Sequence, residues 1–167
     1  MPGPFAFSAG TAAARTVLPH GACDCHIHLY DARVPAVASA QLHPPDASMA
    51  DYLGVQQRMG TQRAVLVTPS TYGADNRPML AGLQALGEQG RGVAVISSQE
   101  SMDELQKLHG CGVRGVRMNL SLSALHQFSD IDTVAHRIAA LGWHLQLLMP
   151  LDQLATLGKA LRDLPVA

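Results

Sequence analysis

Strand and helix patterns take turns along this chain five times over, and few folds tolerate that order. The strand-length runs are "ACDCHIHL" from residue 22, "RAVLVT" (63–68), "RGVAVIS" (91–97), "GVRGVRMN" (112–119) and "WHLQLLM" (143–149). Between them lie stretches of helical period. In "SMADYLGVQQRMG", Ser48 is placed to cap, Tyr52, Val55 and Met59 recur on one side, and Gly60 supplies a left-handed stop. "RPMLAGLQALGEQ" follows Asp75 or Asn76 as cap, and "SMDELQKLHG" opens on a Ser101–Glu104 capping box. "SDIDTVAHRIAALG" aligns Ile131, Val134, Ile138 and Leu141, and "LDQLATLGKALRDL" aligns Leu154, Leu157, Leu161 and Leu164. Strands alternating with helices predict a parallel sheet with right-handed crossovers. A β/α barrel and an open doubly wound sheet both satisfy that rule. No G-x-G-x-x-G or P-loop pattern follows the first strand, which weighs against the nucleotide-binding version.

Composition narrows the partners. Charged residues make up 15% and the net charge is −1, with no basic block to meet nucleic acid or a membrane surface. No apolar run reaches transmembrane length. Three cysteines, Cys23, Cys25 and Cys111, contain no C-x-x-C pair, which predicts reduced thiols in the cytoplasm. Residues 1–21 read as a flexible leader, and residues 22–167 as the folded part.

The first strand, "GACDCHIHLYD", concentrates the chemistry. With strict alternation, Asp24, His26 and His28 share one face and Cys23, Cys25 and Ile27 the other. In a barrel the polar face lines the interior, with His28 nearest the C-terminal mouth where barrel chemistry sits. Two imidazoles so spaced can converge on one substrate group, act as acid and base, or hold a divalent ion such as zinc. Two hydrogen-bonded core histidines are the plain alternative. H-x-H supplies only two ligands, so the expectation is no cofactor and no tightly held metal. In the fourth strand Gly115, Arg117 and Asn119 share a face, so Arg117 can grip a carboxylate from the mouth. Arg114 lies on the opposite face. Ser70 and Thr71 belong to the mouth loop "PSTYGADN", and Gln146 and Leu148 share the face of His144. Trp143 reads as core.

"DCHIHLYD", "AVLVTPSTYGADN", "GVRGVRMNL" and "LGWHLQL", in that order, resemble the amidohydrolase superfamily. The similar branch is that of 2-pyrone-4,6-dicarboxylate lactonase and sugar-lactone hydrolases. The resemblance implies a TIM-type (β/α)₈ barrel, here truncated to about five βα units, that hydrolyses a small lactone or cyclic ester carrying carboxylate or hydroxyl groups. It implies catalytic roles for His26 and His28 and substrate contacts from Ser70 and Arg117, in members that work without a metal. Where the branch presents a polar residue at the mouth, this chain has Leu148. The resemblance also implies a His on a sixth strand and a general-base Asp on an eighth. A β/α barrel takes roughly 250 residues, whereas this chain has 167. The expectation is therefore a partial barrel with an exposed inner face that self-associates. The alternative is a catalytically incomplete fragment, or a half-barrel that binds a ligand or partner without turnover.

Overall fold

The computed structural model describes residues 12–121 and 125–167. Five strands, β1 (Cys23–Ile27), β2 (Arg63–Val67), β3 (Gly90–Ala94), β4 (Val113–Asn119) and β5 (His144–Leu148), pair in parallel in the order β1-β2-β3-β4-β5. Sequential neighbours without a reversal are the signature of a barrel wall, and the doubly wound alternative is set aside. Each strand is followed by one helix: α1 (Met49–Met59), α2 (Arg77–Leu86), α3 (Met102–Gly110), α4 (Asp130–Ala139) and α5 (Leu151–Arg162). The sheet curls into a half-barrel with the helices on its convex side. No helix among the described residues is long and apolar enough to cross a membrane.

Alternation sorts the strand residues into two layers. Ala64, Leu66, Ala94, Ile96, Val116 and Met118 pack outward against helix residues such as Met79, Leu83, Leu105, Val134 and Ile138. Fully burying one of the larger of these side chains stabilises the fold by about 1.5–3 kcal/mol. The opposite, inner layer was expected to be exposed. It is exposed only toward the sheet edges. At its centre Val67, Val93 and Val95 are buried, Val93 completely at 0% exposure, because the curl turns the inner side chains of neighbouring strands onto one another.

The predicted helix ends are present. Ser48 with Asp51 and Ser101 with Glu104 form capping boxes, and Gly60 (φ 79°) and Gly142 (φ 64°) close α1 and the turn after α4 in left-handed conformations. Asn76 departs from expectation. It occupies the N-cap position of α2, but its side chain makes no capping bond. Its Oδ1 accepts from the Thr68 hydroxyl (2.7 Å) and the Val95 N–H (3.0 Å), and its Nδ2 donates to the Val95 carbonyl (2.8 Å). Asn76 thus ties the end of β2 to the end of β3, just beneath the mouth. Trp143 is buried as expected, its Nε1 donating to His109 Nδ1 at 2.9 Å.

Residues 1–11 of the expected flexible leader lie outside the described residues, and residues 12–21 are described. Ala14 N–H donates to the Arg58 carbonyl (2.9 Å), and Gly21 N–H to the Gln62 side chain (2.7 Å).

Candidate active site

Strand β1 is not a regular strand. Asp24 lies opposite Ala64 and Ile27 opposite Leu66, three steps on β1 against two on β2. That extra residue is a β-bulge, which breaks the alternation on which the sequence reading relied. Ala64 and Leu66 face the helices, so the bulge puts Asp24 in register with the outer layer, along with Ile27. The Tyr52 hydroxyl of α1 donates to Asp24 Oδ2 at 3.4 Å, and Asp24 Oδ1 accepts from the His26 N–H at 3.4 Å. The expectation that Asp24 shares the face of His26 and His28 is corrected accordingly.

His26, His28 and Arg117 do converge, at the C-terminal ends of β1 and β4. Arg117 Nη1 donates to His26 Nε2 at 3.2 Å, and the His26 and His28 rings meet edge to face with centroids 4.9 Å apart. His28 Nδ1–H donates to the Val67 carbonyl at 2.7 Å, which leaves Nε2 as an acceptor. His28 and Arg117 line a cavity of about 510 Å³ with Tyr30, Ser70, Thr71 and Asn119. Asn119 Nδ2 donates to Ser70 Oγ at 2.6 Å, and the Thr71 hydroxyl donates to the Leu42 carbonyl at 3.2 Å. Gln146 stands opposite Arg117 across β4 and β5 but does not line the cavity, and its Oε1 is buried without a hydrogen-bond partner. Gly115 leaves room for the imidazole of His144. A Cβ there would collide with the His144 ring.

Electrostatics follow from this packing. Burial, then the nearby Arg117 charge, pushes the pKa of His26 down, against the opposing pull of Asp24. Burial also lowers His28, aided by Arg117 and His26 and opposed by the Val67 bond. Both imidazoles are therefore held neutral at pH 7. Burial depresses Arg117 too. Its Nε is buried with no acceptor, and no carboxylate among the described residues forms an ion pair with it.

A divalent ion fits this donor set poorly. His26 Nε2 is occupied by a guanidinium, whose charge would repel a cation, and His28 offers one lone pair. No group of three or more His, Cys, Asp or Glu side chains among the described residues could hold a metal. A metal site needs three or four ligands, more than these two imidazoles supply.

The sequence reading passed over Tyr30 and the segment from Val37 to Leu42, which fold over the mouth. Tyr30 had a signal. It continues the i, i+2 series of His26 and His28, and its ring lies 6.2 Å from His28. The mouth segment had none, since Val37 N–H is anchored by the Thr71 carbonyl 34 positions away. Tyr72 takes a structural part, its hydroxyl donating to the Asp31 carbonyl (3.1 Å) and accepting from the Asp31 N–H (2.8 Å).

A curled wall of parallel βα units with an imidazole–guanidinium cluster at its C-terminal mouth has the architecture of part of a β/α barrel. Comparison with known proteins narrows this. The amidohydrolase family model matches residues 23–166, and the chain belongs to that family. It is 37% identical over 153 residues to the 2-pyrone-4,6-dicarboxylate hydrolase of Comamonas testosteroni, covering 89% of this chain and 50% of the relative. It is 32% identical to the 4-sulfomuconolactone hydrolase of Rhizobium radiobacter (70% and 39% covered). It is 30% identical to the D-galactarolactone isomerase of Agrobacterium fabrum (75% and 44%). A crystal structure of a probable 2-pyrone-4,6-dicarboxylic acid hydrolase from Acinetobacter baumannii, with citric acid bound, superposes with a TM-score of 0.77 at 26% identity, over 86% of this chain and 55% of that one. The chain thus spans about half the length of the curated relatives it matches.

Proposed function

We propose that this chain forms the substrate-binding side of a hydrolase that opens a small lactone or cyclic ester bearing a carboxylate. The observation that carries the reading is Arg117: a half-buried guanidinium at the mouth, steadied by His26, with no acid among the described residues to pair it. A substrate carboxylate supplies the missing acceptors in a two-pronged grip. Ser70 and Asn119 flank the same cavity and hold the substrate's polar atoms. Thr71, whose hydroxyl already serves Leu42, contributes shape more than hydrogen bonding. Gln146, beside Arg117 on β5, lies outside the cavity and keeps its own Oε1 unpaired.

The two imidazoles divide the work. With Nδ1–H committed to Val67, neutral His28 presents a lone pair to the cavity. It orients a water or takes its proton, but it does not polarise a carbonyl, which requires a donor. His26 accepts from Arg117 and so positions the guanidinium. Hydrolysis adds water across the acyl C–O bond, the hydroxyl to the carbonyl carbon and the proton to the ring oxygen. The similarity to a lactone isomerase favours a second reading, in which the same grip serves ring rearrangement without net addition of water. Incorporation of ¹⁸O from labelled water separates the two.

The partner is then a small molecule, with neither nucleic acid nor membrane involved and no cofactor required. The three free cysteines support a cytoplasmic location. Titration calorimetry with carboxylated 2-pyrones tests the reading. Arg117→Gln is expected to weaken binding about tenfold to a hundredfold, and the methyl ester to bind wild type no better than the acid binds the variant. Equal affinity of wild type and Arg117→Gln would remove the basis for the proposal.

A further inference from the structure

The end of β4 serves the cavity twice. Arg117 and Asn119 lie two residues apart on one face of that strand, in regular register with β5. Arg117 reaches the cavity directly. Asn119 works at one remove. It is buried, at 5% exposure, and both ends of its amide are engaged. Oδ1 accepts from the Ser121 N–H at 3.1 Å, which fixes the way the amide faces. Nδ2 therefore points at Ser70, on the mouth loop after β2, and donates to its Oγ at 2.6 Å. The backbone of Ser70 is set independently. It opens a 3₁₀ turn, Ser70–Tyr72, which the Gly73 N–H closes on the Ser70 carbonyl at 3.2 Å. What the turn leaves open is the rotation of the hydroxyl.

A serine hydroxyl both accepts and donates, so its hydrogen points away from a donor that its oxygen already receives. With Oγ receiving the Asn119 N–H, the Ser70 O–H turns from Asn119 toward the cavity that Ser70 lines. Resting on the reading above, we infer that Asn119 is a positioning residue: it holds the Ser70 hydroxyl as a donor to an acceptor oxygen of the bound ester. Asn119 borders the cavity, and its part in the grip runs through Ser70. Neighbours thus sort the polarity of the site. The Val67 carbonyl makes His28 an acceptor, and the Asn119 amide makes Ser70 a donor.

A double-mutant cycle tests this by titration calorimetry on the 167-residue chain, with 2-pyrone-4,6-dicarboxylate, the acid named for the Comamonas relative, as the probe. Asn119→Asp keeps the shape and the acceptor for Ser121 but puts an oxygen where Nδ2 stood. That oxygen accepts the Ser70 O–H and withdraws it from the ligand. The substitution is expected to weaken binding about tenfold more in the wild-type background than in Ser70→Ala. The new negative charge, and any loosening of the strand end, act in both backgrounds and cancel in that ratio. A ratio near one gives Asn119 a structural or purely electrostatic part and overturns the inference. Where a thermal melt shows Asn119→Asp to be unfolded, Asn119→Leu, close in shape and uncharged, repeats the cycle. It frees the hydroxyl without reversing it, so about threefold is expected, and a ratio near one again overturns the inference. Arg117→Gln judges the carboxylate reading separately. Binding weakened by Arg117→Gln together with a ratio near one overturns the inference alone. Binding indifferent to Arg117→Gln, or no binding at all, overturns the reading and the inference with it.

Discussion

Residue by residue, the candidate site is marked by imidazoles that are kept from charging. His26 and His28 both have pKa values below the ordinary 6.5. The unfolded chain protonates them first as pH falls, so it binds more protons than the native state in that range. Stability from this source is complete above about pH 6.5 and is lost as pH drops toward the depressed native values. The carboxylates lowered by local bonds, such as Asp31 at about 2 and Asp75, titrate further down and leave this window clear. The melting temperature is expected to fall between about pH 7.5 and pH 5.5. His28→Asn keeps a donor for the Val67 carbonyl and removes the titration, so its melting temperature should fall less. Parallel slopes for the two proteins would show that His28 is not the group responsible. The histidines were legible as an H-x-H pair where the first strand ends, and Arg117 because the end of β4 keeps its alternation. Asp24 was not, because a bulge inserts a single residue and leaves no mark in a pattern of period two.

At the level of elements, strand and helix existence followed from periodicity and caps, and Ser48, Gly60, Ser101 and Gly142 all act where their chemistry suggests. Asn76 shows where such reading stops. A cap-forming residue before a helix looks the same in sequence whether it bonds its own helix or two strands. Here it bonds the strands, and the Thr68 hydroxyl and both Val95 backbone groups depend on it. Thr68 and Val95 are buried, so removing Asn76 strands polar groups away from water. Asn76→Ala is expected to cost about 3 kcal/mol, read as a lower urea midpoint at unchanged slope. A shift no larger than that for removing an ordinary N-cap, about 1 kcal/mol, would mean that the two strand ends hold without it. The loop from residue 31 to 47 was unreadable for a different reason. Its place over the mouth depends on long-range backbone bonds, Val37 to Thr71 and Tyr30 to Ala47, and not on its composition.

Among the described residues β1 pairs with β2 and β5 with β4, and the Leu145 N–H of β5 donates to the Ala167 carbonyl at 2.8 Å. Open edges invite association, yet the buried inner valines show that the centre of the sheet is not the adhesive part. What stands out is the end of β5 and the start of α5. Leu148, Leu151 and Leu154 are 42%, 81% and 46% exposed, close in sequence, with Leu151 and Leu154 on one side of the helix. A cluster of large apolar side chains beside the outermost strand is the surface on which the chain is expected to self-associate. Size-exclusion chromatography with light scattering should give a mass above that of one chain, rising with concentration. Leu151→Glu combined with Leu154→Glu adds charge where no core contact is lost, and should return the protein to one chain without lowering its melting temperature. A wild-type chain that stays single at high concentration would show that the curl alone satisfies these edges. Association that survives the double substitution would instead point to the β1 edge, where Cys25 and His26 are exposed.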